Sequence, residues 1–337
     1  MKHASISVFV PHLACPNHCV FCNQNRISGA TEPEPIQHIQ TFLKTALQRL
    51  PAHSFDEVDI AFFGGSFTGI EEHKMRAYLQ AAAQARAQDP RITGIRLSTR
   101  PDYISPRILQ ILNEYGVTTI ELGAQSLSDV ILKNCGRGHT VRDVEQAAEW
   151  IRSNGTQLVL QIMPGLPGDT DQTILQTAQR TIQLAPDGVR IYPCVVLKDT
   201  PLQTMWEKGL YQPLTTEHAV ALCAQMVPMF LQNHIKVLRT GLHASSISSD
   251  DSVLAGPFHP AFGELVQQKI YLNRLLADFQ KQPPVADEIL YVGRGCTSKM
   301  IGNKKGNLQY LHERYPYHFT VKEKSTLEEF EIERKRT

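Results

Sequence analysis

Short apolar runs alternate with longer amphipathic stretches over the first two thirds of the chain. The apolar runs are predicted to form six β-strands, at residues 6–10, 58–63, 95–97, 118–122, 158–163 and 189–192. The stretches between and after them have helical spacing, at residues 36–50, 71–87, from 105 onward, 143–152, 170–184 and 217–232. Strands this apolar are typical of a parallel sheet covered by helices. The pattern therefore predicts an α/β fold, with functional residues at the carboxyl ends of the strands.

Two helix starts carry local signals. Ser105 stands before Pro106, which is the order of a capping residue followed by proline in the first helical turn. Thr140 stands in the same capping position before the helix at 143–152. Both helices are therefore predicted to begin at these residues.

The pattern changes after residue 238. Residues 241–260 are rich in Ser, Gly, Pro and His and are predicted to form a long functional loop or lid. A helix at 260–279 and strands at 289–292 and 318–321 predict a small α+β extension. We therefore divide the chain into a core, residues 1–238, and an extension, residues 239–337. The charged end at 328–336 is expected to be a solvated, partly disordered face.

Composition adds the cellular setting. The 337 residues carry a formal net charge of +1, which neither requires nor excludes a nucleic-acid partner. Seven cysteines, an odd number without repeating spacing, favour a reducing compartment. Pro11 and His12 end the first apolar run too early for a secretion signal, and no apolar stretch approaches the length of a membrane span. A cytoplasmic, oxygen-sensitive protein without a membrane partner is expected.

The candidate chemistry begins with three cysteines directly after the first strand. Cys15, Cys19 and Cys22 are spaced so that one loop can bring them to a single inorganic centre. Three thiolates without a nearby fourth suit a 4Fe-4S cluster with one open iron. A zinc ion is the alternative, with His12 or His18 as the fourth ligand. A disulfide is less favoured, because it would leave one thiol unpaired.

Further motifs follow in order near the strand ends. They are Phe-Phe-Gly-Gly-Ser-Phe-Thr at 62–68, Ser-Thr-Arg-Pro-Asp at 98–102, Glu-Leu-Gly-Ala-Gln-Ser at 121–126, Gly-Arg-Gly-His at 136–139, Met-Pro-Gly-Leu-Pro-Gly at 163–168 and Ile-Tyr-Pro at 191–193. Together with the cysteine loop, they resemble the radical S-adenosylmethionine (SAM) part of the elongator catalytic subunit family, within the radical SAM superfamily. The resemblance covers about residues 5–239, and the remainder resembles the C-terminal region that accompanies such cores.

This resemblance implies a partial (β/α)6 TIM-like barrel, a 4Fe-4S cluster and SAM. The implied reaction is reductive cleavage of SAM to a 5'-deoxyadenosyl radical, which abstracts hydrogen from a substrate. The implied partners are a flavodoxin-like or ferredoxin-like one-electron donor and a tRNA nucleoside or small-molecule substrate.

The resemblance also assigns site residues. Cys15, Cys19 and Cys22 are the implied cluster ligands. The implied SAM-binding residues are Phe21, Gly64, Gly65, Ser66, Ser98, Gln125, Arg137, Met163 and Tyr192. The glycine pair is expected to bind the amino group of SAM. Gln125 is expected to bind the ribose, Arg137 the carboxylate, and the side chains at 163 and 192 to stack on adenine or substrate.

Two departures from the elongator pattern bear on function. The elongator subunit usually carries a glutamate where this chain has Ser98, and it continues into an acetyltransferase domain. We therefore expect radical chemistry without acetyltransferase activity. The alternative hypothesis is a cluster-bearing carrier or sensor that binds SAM or haem without radical turnover, since oxygen-independent coproporphyrinogen oxidases share this core and include carrier-like members.

The remaining cysteines are scattered singly. Cys223 is predicted to be core, and Cys296 lies in the extension. Cys135 and Cys194 lie near the predicted mouth, where either could donate a hydrogen atom to a substrate radical or simply fill space. The basic loops at 256–260 and 293–307 suit phosphate contacts or an ordinary solvated surface.

Overall fold

The computed structural model describes residues 3–10, 19–23, 35–51, 55–242 and 252–337. The strands in these ranges are β1 His3–Val10, β2 Glu57–Gly64, β3 Ile92–Thr99, β4 Thr119–Gln125, β5 Gln157–Ile162, β6 Gly188–Ile191, β7 Val196–Leu197, β8 Lys236–Thr240, β9 Val253–Ala255, β10 Glu288–Val292, β11 Phe319–Glu323 and β12 Ile332–Arg336. The α-helices are α1 Ile39–Arg49, α2 Glu72–Gln88, α3 Pro106–Glu114, α4 Asp129–Asn134, α5 Val141–Ser153, α6 Asp171–Gln183, α7 Pro201–Glu207, α8 Thr216–Gln232, α9 Phe262–Lys281, α10 Thr297–Ile301 and α11 Gly306–Arg314.

Seven parallel strands form the main sheet, in the order β1-β2-β3-β4-β5-β6-β8. The order follows the chain, with helices as the connections, which is the arrangement of successive β/α units. Ser7 of β1 at one edge and Arg239 of β8 at the other line the same cavity, so the sheet curls into an open half-barrel. The expected partial TIM-like barrel is confirmed.

All six predicted strands are present, and the structure adds a seventh, β8, that the apolar pattern did not reveal. Strand β8 lies at the edge of the sheet and pairs only with β6 within the main sheet. Its Lys236 and Leu238 are exposed. An edge strand with exposed positions lacks the continuous apolar run of a buried strand.

Each strand of the half-barrel presents one face to the helices and the other to the interior. In β3, Ile95 and Leu97 are fully buried in the apolar core, together with Leu43 of α1 and Leu79 of α2. Burial of each such side chain contributes about 1.5–3 kcal/mol. The neighbouring Ser98 faces the opposite side and lines the cavity.

The predicted helix starts are confirmed. The Ser105 hydroxyl accepts a hydrogen bond from the Ile108 amide at 3.3 Å, at the start of α3. At the start of α5, the Thr140 hydroxyl accepts from the Asp143 amide, and the Asp143 carboxylate accepts from the Thr140 amide at 2.7 Å. This reciprocal capping box fixes where α5 begins, just beyond the loop that carries Arg137.

The extension is built around α9 and a three-stranded sheet in the order β11-β10-β12. Tyr271 and Leu275 of α9 share one apolar cluster with Met226 and Phe230 of α8. The small α+β extension is thus present, as expected. Strand β8 spans the predicted domain boundary after residue 238, and that boundary stays a prediction.

The chain end at 328–336 is mostly exposed, as expected, but the expectation that it is partly disordered is wrong. Residues 332–336 form β12, which pairs antiparallel with β10. Arg334 donates two hydrogen bonds of 2.8 Å to the buried carboxylate of Glu288 and one of 2.7 Å to Asp278. One of the charged residues of this segment, Arg334, thus forms ion pairs that stabilise β12 in the sheet.

The predicted lid at 241–260 falls partly outside the described residues, which omit 243–251. Its described second half contains β9, which pairs antiparallel with β7. The Lys198 amide also donates to the Ser252 carbonyl at 2.9 Å, which extends the contact by one bond. The segment after β6, which contains β7, is thus hydrogen-bonded to the first part of the extension through β9.

The longest described helix, α9, has 20 residues and carries charges at Glu264, Lys269 and Arg274. None of the helices in the described ranges combines the length and the apolar character that crossing a bilayer requires.

Candidate active site

A cavity of about 720 Å³ occupies the interior of the half-barrel and opens at the carboxyl ends of its strands. Its volume is in the range typical of small-molecule sites. The structure brings all nine predicted SAM-binding residues to its wall: Phe21, Gly64, Gly65, Ser66, Ser98, Gln125, Arg137, Met163 and Tyr192. Their shared location is an observation, and their individual roles stay predictions.

Two of the three predicted cluster ligands lie beside this cavity. Cys22 lines it directly, and Cys19 is buried, with only 4% of its surface exposed. The Cys22 amide donates to the Cys19 carbonyl at 3.0 Å, so a tight turn holds the two thiols on one loop. Cys15, and the alternative zinc ligands His12 and His18, lie outside the described residues. No three His, Cys, Asp or Glu side chains converge as a metal site within the part of the chain that is described.

The cysteine loop is held from several sides. The Val20 amide donates to the Cys135 carbonyl at 3.0 Å, and the Val20 carbonyl accepts from the Leu202 amide at 2.8 Å. The Asn23 side-chain amide donates to the Lys198 carbonyl at 3.2 Å. Contacts with the segment before α5, with the first turn of α7 and with the residue Lys198 before it therefore fix the loop against the rim of the barrel.

Arg137 points toward the cysteine loop. Its Nη1 donates to the Cys19 sulfur at 3.4 Å, and its Nη2 donates to the Gly123 carbonyl at 2.8 Å. Arg137 is 7% exposed, and its buried Nε has no hydrogen-bond partner among the described residues. A buried charged donor without an acceptor is costly, which is typical of a group that faces a ligand.

The glycine turn at the end of β2 fits closely against β1. Gly64 has a φ of +115°, and a Cβ there would lie 2.6 Å from Phe9 Cε2 and 2.7 Å from the Val10 carbonyl oxygen. The Gly65 amide donates to the same carbonyl at 2.7 Å. Only glycine permits this approach, so the backbone of the turn forms part of the cavity wall.

Gln125 ends β4 in an unusual backbone conformation. Its φ of 65° lies in the left-handed region, and the β4–β5 register breaks between Gly123 and Gln125. The Gln161 side-chain amide donates a hydrogen bond to Gln125 Oε1 at 3.3 Å. The Met163 backbone amide donates to the Gln125 carbonyl at 2.7 Å. A strained non-glycine residue at a cavity wall is typical of a functional position.

A charged network on the inner face was missed by sequence reasoning. Arg96 bonds to Asp59 at 2.9 Å and to Glu121 at 3.0 Å, and Arg190 bonds to Glu121 at 2.8 Å. Burial opposes the charge on Arg190, but the interactions with Glu121 and Tyr192 together outweigh it and raise the pKa of the guanidinium. Arg239 lies beside this network on β8. The only sequence signal was one charge at an inward position in each of several otherwise apolar strands.

The two cysteines near the mouth do not reach the cavity wall. Cys135 and Cys194 are both buried and neither lines the cavity. Burial raises the pKa of Cys194 to about 12 and also raises that of Cys135. Their position favours packing over hydrogen-atom donation. Cys223 lies in the core as predicted, in the cluster formed by α8 and α9.

The basic stretch of the extension is partly neutralised. Lys299 of α10 pairs with Glu329 at 2.7 Å, and the Glu323 carboxylate accepts from the Gly295 amide at 3.0 Å. Lys304 and Lys305 are exposed, both with positive φ. Contact of this surface with phosphate stays a prediction.

Comparison with known protein families identifies the fold of this site. Residues 9–181, or 173 of 337, match the family model of the radical SAM superfamily, and residues 186–271 match that of the radical SAM C-terminal domain. The chain belongs to the radical SAM superfamily. It is therefore an enzyme, and membership of this superfamily implies a 4Fe-4S cluster and SAM as cofactors.

The curated relatives lie in the elongator group, as the motifs suggested. The chain is 26% identical over 254 residues to a tRNA uridine(34) acetyltransferase of Methanocaldococcus infernus, covering 64% of this chain and 48% of that protein. It is 28% identical over 257 residues to human Elongator complex protein 3, covering 65% and 47%. The chain spans about half the length of these two relatives. Similarity to the elongator family is confirmed.

The archaeal Methanocaldococcus infernus Elp3 with an N-terminal deletion of residues 1–46 has a similar structure. The TM-score is 0.64 at 22% identity, and the match covers 85% of this chain and 69% of that one. At this identity the likeness establishes the shared fold.

Proposed function

We propose that this radical SAM enzyme cleaves SAM reductively and uses the product radical to abstract hydrogen from a substrate in the half-barrel. When bound, a 4Fe-4S cluster would supply the electron that breaks the sulfonium C–S bond, giving methionine and a 5'-deoxyadenosyl radical. The observation that carries the proposal is the placement of Cys19, Cys22 and Arg137 together at the rim of the cavity.

The residues present fit a cluster at this position. Cys19 and Cys22 lie on one turn next to the cavity, and Cys15 would supply the third thiolate. Three thiolates leave one iron open to a further ligand. The Arg137 guanidinium places a positive N–H donor 3.4 Å from the Cys19 sulfur, where a thiolate cluster ligand would accept it. Its Nε, without an acceptor among the described residues, suits an additional anionic group at the same place.

The remaining wall residues would hold SAM around this centre. We propose that the Gly64–Gly65 turn binds the amino group and that the Gln125 amide binds the ribose hydroxyls. Arg137, which contacts the Cys19 sulfur, would also bind the methionine carboxylate of SAM. The side chains of Met163 and Tyr192 would pack against the adenine or the substrate. Phe21, Ser66 and Ser98 complete the wall.

For the substrate we propose a tRNA nucleoside, with a small molecule as the alternative. The support is the sequence similarity to proteins named tRNA uridine(34) acetyltransferase. Because the chain matches about half of such relatives, acetyl transfer is not carried over to it. Retention of tRNA that weakens as salt rises would support the RNA substrate. Comparing tRNA nucleosides and metabolites from cells with and without the gene would identify the product.

The experiment that tests the reaction is anaerobic cluster reconstitution followed by addition of dithionite and SAM. A flavodoxin or ferredoxin would take the place of dithionite in the cell. We expect 5'-deoxyadenosine from the wild type and none from Cys19→Ala. The control, Cys223→Ala, changes a core thiol outside the site and should keep the product.

Failure of a fully loaded, reduced sample to release 5'-deoxyadenosine would contradict the proposal. SAM bound tightly under those conditions without any cleavage would instead support the carrier or sensor alternative.

A further inference from the structure

Two arginines lie side by side on neighbouring strands inside the cavity. Arg190 of β6 and Arg239 of β8 are direct partners in the register of the parallel pair, and both line the cavity. Like charges placed opposite each other on adjacent strands are destabilising unless an opposite charge compensates them. The arrangement therefore needs a source of negative charge.

Among the described residues, an opposite charge is found for Arg190 but not for Arg239. Arg190 donates to both carboxylate oxygens of Glu121, at 2.8 Å and 3.1 Å. Glu121 also accepts from Arg96, whose second partner is Asp59. Together with Arg239, this inner network has three guanidinium groups and two carboxylates, so one positive charge is left over.

The excess charge lies on Arg239. Among the residues that the structure describes, its side chain makes no hydrogen bond or ion pair, although it is half-buried in the cavity wall. The nearby Tyr192 hydroxyl accepts from Arg190 Nη1 at 3.4 Å, which leaves its own proton to donate. A planar guanidinium and a hydroxyl together suit a ligand with two or more anionic oxygens.

We propose that Arg239, supported by Arg190 and the Tyr192 hydroxyl, binds an oxyanion of the substrate, either a carboxylate or a phosphate. The inference deepens the proposed function and rests on it, because the proposed function is what places a substrate in this cavity. Arg239 lies on the edge strand β8, at the far end of the strand order from the Gly64–Gly65 turn of β2. The substrate oxyanion and the amino group of SAM would thus be bound by strands at opposite sides of the half-barrel.

The test is calorimetric titration of the reconstituted, SAM-saturated full-length protein with three probes. Malonate reports on carboxylates, and inorganic phosphate and uridine 5'-monophosphate report on phosphates. We expect saturable binding of at least one probe, weakened about tenfold or more in Arg239→Gln. Arg239→Lys, which keeps the charge but loses the bidentate fork, should bind with intermediate affinity.

The matched control is Lys236→Gln, which removes one positive charge from an exposed position of the same strand. It should bind every probe as the wild type does. Arg239→Gln should also unfold at no lower temperature than the wild type, because it removes a like-charge contact and no bond between described residues. Binding of malonate alone would assign the site to a carboxylate, and binding of the other two would assign it to a phosphate.

Equal probe affinity in Arg239→Gln and wild type, or no saturable binding of any probe, would overturn the inference. So would a loss of SAM affinity in this variant with unchanged probe binding, which would assign Arg239 to SAM. The outcome is separable from the proposed reaction. Arg239-dependent binding in a protein that forms no 5'-deoxyadenosine would leave the site standing and reject the radical chemistry.

Discussion

Arg137 Nη1 lies 3.4 Å from the sulfur of Cys19, a residue 118 positions earlier in the chain. The contact joins the loop between α4 and α5 to the loop after β1 and places a permanent positive charge next to a proposed cluster ligand. A positive group and an N–H donor stabilise added negative charge, so this contact should favour the reduced cluster.

Arg137→Gln should therefore lower the reduction potential of the reconstituted cluster, by on the order of 50 mV. The measurement is a potentiometric titration followed by electron paramagnetic resonance without SAM, so that carboxylate binding does not enter. Arg142→Gln, on the exposed face of α5, is the charge-matched control and should keep the wild-type potential. An unchanged potential in Arg137→Gln would show that the guanidinium does not act on the cluster.

Gly123→Ala should disturb the SAM site through two side chains. A Cβ at this position would lie 2.8 Å from Arg137 Nη2 and 2.9 Å from Gln125 Nε2, so both must move. We expect SAM affinity to fall on the order of tenfold in equilibrium binding. Gly306→Ala has no atom within 4 Å of the added Cβ and should bind SAM normally. Wild-type affinity in Gly123→Ala would argue against both residues as SAM contacts.

Glu121→Ala should destabilise the fold strongly. The carboxylate is 3% exposed and binds Arg96 and Arg190, so its loss leaves two partly buried guanidinium groups without their shared partner. The expected loss in the free energy of unfolding is about 3–5 kcal/mol, measured by urea denaturation. Glu145→Ala breaks the exposed pair with Arg180 and should cost less than about 1 kcal/mol. Similar losses in both variants would contradict a structural role for the inner network.

The stability of the protein should fall as the pH rises above 9, in part because of Cys223. Burial raises the pKa of this thiol from 9.0 to about 12, so the unfolded state loses its proton first. The stabilising contribution is complete below pH 9 and is lost between pH 9 and about 12. Its slope is about 1.4 kcal/mol per pH unit. Cys223→Ala should show a shallower decline than the wild type in urea denaturation across this window, and parallel curves would contradict the assignment.

The sequence predicted the parts of the fold that local pattern determines. The first six strands of the main sheet were visible as apolar runs, and Ser105 and Thr140 marked where two helices begin. The cavity wall was also anticipated, because motifs at strand ends meet at one edge of a parallel sheet. Edge strands β8 and β12 were missed because their exposed or ion-paired residues resemble loop sequence.

The inner charges could not have been paired from the sequence. Arg96, Glu121 and Arg190 lie on three strands, and their contacts depend on the register between strands rather than on spacing along the chain. The same holds for Arg137, which the motif assigned to a carboxylate. Its proximity to the Cys19 sulfur follows from how the loop after β1 packs against the loop between α4 and α5.

The central claim is a 4Fe-4S cluster on Cys15, Cys19 and Cys22 whose open iron faces the SAM cavity. Electron paramagnetic resonance of the reduced, anaerobically reconstituted protein, recorded with and without SAM, tests it most directly. The account predicts a 4Fe-4S signal that changes when SAM is added, because SAM would bind the open iron. A cluster signal that SAM leaves unchanged, or a protein that holds one zinc ion and no cluster, would contradict it.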